Sequence, residues 1–310
     1  MYRKVQKLSA ASGAASFLVP PYRVTLSGGG IKGFAHIGAL EVLQEKNLLR
    51  SVKEYIGISA GALCALCICI GCSFADIRKM ISHLDFGSIR DVGPETILNF
   101  PEGFGIDTGA NLERLLTALL RGKGLSPNIT FRELAAKRLG PALRVFATNL
   151  NRCVAEEFSA KKSPGTGVRF AVQASMSVPI YFTPVRHPQT GHLFLDGGIM
   201  SPSPFAHLSY EERVHTLAIS FGDAHKPRDS IDNLYEFIYQ LYYSLDYDMS
   251  VRLKREWAEN TIVVDCGRIN MIDFEAGAET KEVIMEAGRS AATKFLKTPG
   301  QLPVRRFSVS

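Results

Sequence analysis

The stretch from Tyr55 to Cys72 constrains this chain most. Apolar residues lead into Gly57-Ile58-Ser59-Ala60-Gly61, and an almost wholly apolar run follows. This is the G-x-S-x-G pattern of a strand that ends, turns sharply at a serine and continues as a helix. Gly57 and Gly61 flank a turn that must lie against a neighbouring strand and helix, where a side chain would clash. Ser59 then stands at a helix start, where free N–H groups and the dipole favour developing negative charge. The apolar run is shorter than the ~20 residues of a membrane span, and Ser73, Asp76 and Arg78 close it. It reads as a buried core helix.

A second strand–turn–helix unit precedes the first. Tyr22 to Leu26 reads as a strand and Ser27-Gly28-Gly29-Gly30-Ile31-Lys32-Gly33 as a loop. Phe34, Ile37, Leu40 and Leu43 mark one face of the helix that follows. Gly28, Gly30 and Gly33 satisfy G-x-G-x-x-G, so a dinucleotide-dependent oxidoreductase must be weighed. Glu54 lies at about the spacing of a ribose-binding acid. Such an acid ends the second strand, whereas Glu54 precedes the strand into Gly57. The other reading is an oxyanion hole. Three consecutive glycines let bare backbone N–H groups converge on one point, where such donors lower an acyl-transfer barrier by several kcal/mol. Lys32 adds positive charge there.

Further along, Asp76 to Leu84 reads as a polar-faced helix. Residues 85 to 106 read as a long irregular loop exposing Phe86, Ile97, Leu98, Phe100 and Phe104. Asp107 or Thr108 is expected to cap a helix over Leu112, Leu116 and Leu120, and Thr130 with Glu133 forms a capping box. Leu143 to Asn149 and Val154 to Ser159 read as paired strands, and Val168 to Met176 as a helix. Ala174-Ser175-Met176-Ser177-Val178-Pro179-Ile180-Tyr181-Phe182 then turns from helix to extended chain at the proline. His192 to Leu195 is a short strand ending at Asp196-Gly197-Gly198, and an acid at a strand end lies where open α/β sheets build sites. Val214 to Phe221 and Ile262 to Val264 are further strands, and 279 to 297 a last helix. Between them Leu234, Phe237, Ile238, Leu241, Tyr242 and Leu245 form a helical stripe expected to pack as core. This alternation implies a mainly parallel sheet covered on both faces. One domain is expected over 21–297, between flexible tails at 1–20 and 298–310.

Composition narrows the function classes. The 310 residues are 46% hydrophobic and 21% charged, with a net charge of +6. The mild basic excess suits an anionic surface, but no Lys/Arg block or basic–aromatic interleaving points to nucleic acid. Four of the six cysteines, Cys64, Cys67, Cys69 and Cys72, crowd into the apolar run. They read as small core residues rather than a metal site, because two C-x-x-C pairs in one short helix cannot close a tetrahedron. Free thiols point to a reducing, intracellular compartment. The seven histidines show no metal-ligand spacing, and no cofactor or metal is expected.

Taken together, the glycine loop at 28–33, the elbow at 57–61, the Ala174-Ser175…Pro179-Ile180-Tyr181-Phe182 stretch and Asp196-Gly197-Gly198 resemble the patatin-like phospholipases. The resemblance implies a three-layer α/β/α fold and a serine–aspartate dyad, with Ser59 as nucleophile and Asp196 as base. It implies an oxyanion loop of Gly28, Gly29, Gly30, Lys32 and Gly33. The implied substrate is a phospholipid or other glycerolipid met at a peripheral membrane surface, with neutral-glyceride lipase or transacylase as variants on the same dyad. A Ser-Asp-His triad with His207, His215 or His225 would also fit the chain order, but the resemblance places the base itself at Asp196.

Overall fold

The structure, a computed structural model, describes residues 21–222, 230–232, 234–267, 269 and 276–297. The tails expected at 1–20 and 298–310, and His225, lie outside the described residues. The chain runs β1 (Arg23–Leu26), α1 (Phe34–Glu45), β2 (Glu54–Gly57), α2 (Ala60–Cys69) and α3 (Phe74–His83). It continues through α4 (Pro94–Leu98), α5 (Phe100–Gly103), β3 (Gly105–Asp107), α6 (Ala110–Gly122), α7 (Phe131–Lys137), β4 (Ala142–Asn149) and β5 (Val154–Ser159). Then come α8 (Val168–Met176), β6 (Ile180–Phe182), β7 (Val185–Arg186), β8 (Leu193–Asp196), α9 (Tyr210–Val214), β9 (Thr216–Phe221), α10 (Leu234–Glu256), β10 (Thr261–Val264) and α11 (Ala278–Lys297).

Among the described residues the main sheet runs β10-β9-β1-β2-β4-β8-β7, with β5 also on β4. Successive strand residues point to opposite faces, and the strands are apolar on both. Tyr55, Val145, Leu217 and Ile219 enter a core shared with α1, α2, α8 and α11. Ile56, Phe146 and Ala218 enter a second core with Phe205, Leu253 and Trp257. Helices therefore cover both faces of a mostly parallel sheet, the three-layer arrangement expected. Parallel pairing joins β10 to β9, β9 to β1, β1 to β2 and β2 to β4.

The edges of β4 position the site. β5 lies antiparallel along Arg144–Asn149 and occupies one edge. β2 pairs with Ala142–Val145, and β8, antiparallel, with Ala147–Asn149. Both must use the remaining edge. The ends of β2 and β8 therefore meet head to head, Gly57 opposite Val145 and Asp196 opposite Ala147.

Three local expectations differ from the structure. The segment 85–106 is no plain loop: it holds a 3-10 turn, α4 and α5, and leads into β3, which pairs with β6. The N-cap position of α6 is Gly109, in a left-handed conformation; the Asp107 carboxylate is taken by the N–H groups of Gly109 and Asp91, while Thr108 Oγ1 accepts the N–H of Ala110, the first residue of the helix. In the α10 stripe only Ile238 is buried among the described side chains. Phe237, Leu241 and Leu245 are exposed, because the helix packs one narrow edge against Tyr181 and Phe182.

Helices α1 and α11 cross at two glycines. A Cβ on Gly38 would stand 1.9 Å from Met285 O, and one on Gly288 would stand 1.9 Å from Ala35 O. Gly38→Ala or Gly288→Ala should each cost about 1–3 kcal/mol through forced separation of the helices, seen as a lower melting temperature. Gly122→Ala, with nothing within 4 Å of the added carbon, should melt with wild type. Wild-type melting of the first two variants would refute the crossing.

Candidate active site

The turn after β2 is forced by contacts on both sides. A Cβ on Gly57 would lie 2.4 Å from Ala62 Cα, and one on Gly61 would lie 2.1 Å from Leu26 O. Only bare backbone lets α2 leave β2 so tightly. Ser59 absorbs the turn with φ 55° and ψ −128°, a conformation that costs a non-glycine residue on the order of 1–3 kcal/mol. It caps α2 without a side-chain capping bond, so its Oγ is not committed to its own helix. Its N–H donates to Ser175 Oγ at 2.9 Å.

The glycine loop is tied down beside it. Gly28 approaches so closely that a Cβ there would be 3.1 Å from Ser59 Cβ. The Gly28 N–H is committed to Pro202 O at 2.8 Å, so of the three glycines expected to supply donors, this one serves close approach instead. Gly33 lies on Ala60, where a Cβ would come within 2.7 Å of the alanine methyl. The N–H groups of Gly29, Gly30 and Ala60 have no partner among the described residues. Lys32 is buried within the 3-10 turn Gly30–Gly33. His36, buried on α1, donates from Nε2 to Ser27 O at 2.8 Å, and its ring packs on Phe221. Burial pushes its pKa down to about 4, against the smaller opposing effect of the Ser27 bond. It is a packed anchor for the loop.

Asp196 ends β8 and is 2% exposed. Its N–H donates to Ser177 O at 2.8 Å, its carbonyl accepts from Thr148 Oγ1 at 2.9 Å, and its Oδ1 accepts the Gly198 N–H at 2.8 Å. Gly197 fits where a Cβ would strike Phe146 O at 2.5 Å and Ile58 Cγ1 at 3.2 Å. The residue after Asp196 thus lies against the residue before Ser59. Ser175, Ser177, Thr148 and Pro202 carry no task that residue type or spacing alone would assign. The two serines do stand inside the quoted 174–182 motif, and their spacing at a helix end before a proline was the available signal.

A pocket opens at Ser59, 7% exposed, between the glycine turn, α2, α6 and β6. Leu63, Leu112, Met176, Val178 and Phe182 are among its apolar walls, and its volume is ≈ 100 Å³. That is several times what one water needs. Cys64 lines it too; burial pushes its thiol up to about 12. Cys67, Cys69 and Cys72 are buried in or just after α2, and no group of three or more metal-ligating side chains occurs among the described residues. Glu54 is held by Arg23 at 2.7 Å and Arg144 at 2.9 Å, at the start of β2, so it cannot serve a ribose beside the glycine loop. His215 sits before β9, at the opposite end of the sheet from Ser59. His207 stacks on the Phe146 ring, and burial lowers its pKa to about 4.

Comparison with known proteins follows the same residues. A family model described as patatin-like phospholipase matches residues 24–209. The uncharacterized protein R571 of Acanthamoeba polyphaga mimivirus is 26% identical over 285 residues, covering 88% of this chain and 93% of its own. The probable lipid hydrolase 463L of Invertebrate iridescent virus 6 is 28% identical over 192 residues. That match covers 60% of this chain, which spans 63% of the relative. The crystal structure of VipD from Legionella pneumophila superposes with a TM-score of 0.61 at 19% identity, over 89% of this chain and 67% of VipD; that likeness concerns the fold alone.

The His36 environment predicts how stability responds to acid. Unfolded, this histidine titrates near 6.5; folded, near 4. Below pH 6.5 the unfolded chain takes a proton that the native state refuses. Stability should therefore fall as pH drops from 6.5 to 4, by up to about 3 kcal/mol from this group. Urea midpoints at pH 7.5 and 5 measure it. His36→Gln, which retains a donor toward Ser27, should make the dependence shallower and leave the part due to His207, whose pKa burial also lowers to about 4; a curve as steep as wild type would assign the effect elsewhere.

Proposed function

This chain belongs to the patatin-like phospholipase family, whose model matches more than half of its residues, and it is a carboxylic ester hydrolase; we propose that it releases acyl chains from glycerolipids with Ser59 as nucleophile and Asp196 as base. The observation that carries this reading is the head-to-head meeting of β2 and β8 on one edge of β4. It brings a strained, uncapped serine and a buried carboxylate to the same end of the sheet, with an apolar pocket at the serine.

In this mechanism Asp196 takes the Ser59 proton as Oγ attacks the ester carbonyl. A serine hydroxyl is a weak nucleophile until a base does so. The tetrahedral oxyanion forms against the N–H groups of Gly29, Gly30 and Ala60, at the start of α2 where the dipole favours negative charge. The intermediate collapses, the alkoxide leaves with the proton from Asp196, and an acyl-enzyme remains. Water then attacks with Asp196 again as base, releasing the fatty acid and restoring Ser59. The acyl chain occupies the apolar pocket, whose described lining is without charged side chains.

Exposed apolar side chains support work at a lipid surface, and the cysteines support a location inside a cell. Ile97, Leu98 and Phe104 are exposed on the segment leading into β3, and Phe237, Leu241 and Leu245 on α10. No described helix is long and apolar enough to cross a membrane. None of the six cysteines is joined in a disulfide, as suits a reducing compartment.

Purified protein should release fatty acid from phospholipid vesicles and react with a fluorophosphonate probe. Ser59→Ala should lose probe labelling and turnover by at least about 10³-fold, and Asp196→Asn should lose nearly as much. Gln variants of His36, His207 and His215 should stay within about tenfold of wild type. Wild-type turnover in Ser59→Ala, or a histidine variant equally dead, would sink the dyad.

A further inference from the structure

The end of α8 touches both halves of this dyad. Ser175 is fully buried. Its Oγ accepts the Ser59 N–H at 2.9 Å and donates to Phe146 O at 2.7 Å. Two residues on, Ser177 O accepts the Asp196 N–H at 2.8 Å. Phe146 belongs to β4, whose next residue, Ala147, is the register partner of Asp196. Gly197 packs against the same Phe146 carbonyl.

Ser59 needs such a partner. It lies past the end of β2, outside the strand ladder, and a buried amide left unpaired is destabilising. A hydroxyl is suited to the place because one oxygen both accepts and donates. Both of its bonds go to backbone atoms, and Ser175 is not among the pocket walls, so it neither reacts nor holds the acyl chain.

We propose that Ser175 is a positioning residue whose hydroxyl locks the backbone of the nucleophile to β4, the strand paired with the one that carries the acid. The inference rests on the assignment of Ser59 and Asp196 above. Its effect falls on the chemical step, because a displacement of about 1 Å between reacting groups can cost on the order of 10²-fold. Binding of the acyl chain, made by other residues, should be spared.

The test is steady-state kinetics on a soluble short-chain ester with Ser175→Ala, Ser175→Cys and Ser59→Ala, with folding checked by circular dichroism and melting. Ser175→Ala should lower kcat by about 10- to 100-fold with KM within about twofold. Ser175→Cys, whose thiol donates and accepts weakly at the same place, should recover part of the loss. If the alanine variant does not fold, the cysteine variant alone decides, and its kcat must fall at least about threefold. A kcat equal to wild type, or a loss that only follows the unfolded fraction, overturns the proposal. An inactive Ser59→Ala beside a fully active Ser175→Ala sinks the bridge alone. An active Ser59→Ala removes the nucleophile assignment and the bridge with it.

Discussion

One strand edge organises this molecule. β4 has its far edge filled by β5, so β2 and β8 must share the near one and end where they meet. The candidate serine and aspartate lie at that junction. Backbone hydrogen-bonding groups must be paired when buried, and the meeting point is where two ladders stop. The groups released there are taken up by Ser175, Ser177 and Thr148. The site is therefore built where the regular pairing of the sheet runs out, at the carboxyl ends of β1 and β2.

Crowding is the second constraint, and it explains the glycines better than donor supply does. Gly57, Gly61, Gly33 and Gly197 each fill a place where a methyl would meet backbone or a packed side chain within 2.7 Å. Gly28 spends its amide on Pro202. Of the three consecutive glycines, Gly29 and Gly30 keep amides with no partner among the described residues. The motif is thus chiefly a packing device that brings the glycine loop, the elbow and the Asp196 segment together. The strain held at Ser59 is sustained because each neighbour is fixed by its own contacts.

Much was legible beforehand for a simple reason: turn chemistry and strand alternation are local. The elbow, the glycine loop, the capping box at Thr130 and the paired strands β4 and β5 all follow from residues within a few positions of one another. The exposed face of α10 was not legible. Phe237, Leu241 and Leu245 have the spacing of a core stripe, and spacing alone cannot tell a buried face from one awaiting a lipid or a partner. At α6 the choice between Asp107 and Thr108 was not legible either, because the Asp107 carboxylate is drawn to the Asp91 amide, a contact distant in sequence.

By itself the sequence determined the fold class, the family and which serine and aspartate to compare, because glycine patterns and apolar runs state where a chain must turn and what it must bury. Only the tertiary structure decided that β8 runs against β4, which glycine amides stay open, and that Ser175 ties Ser59 to the strand beside Asp196. Residues 59, 146, 175 and 196 are far apart along the chain. Their contacts depend on strand order and register, which are properties of the whole sheet and not of any one segment.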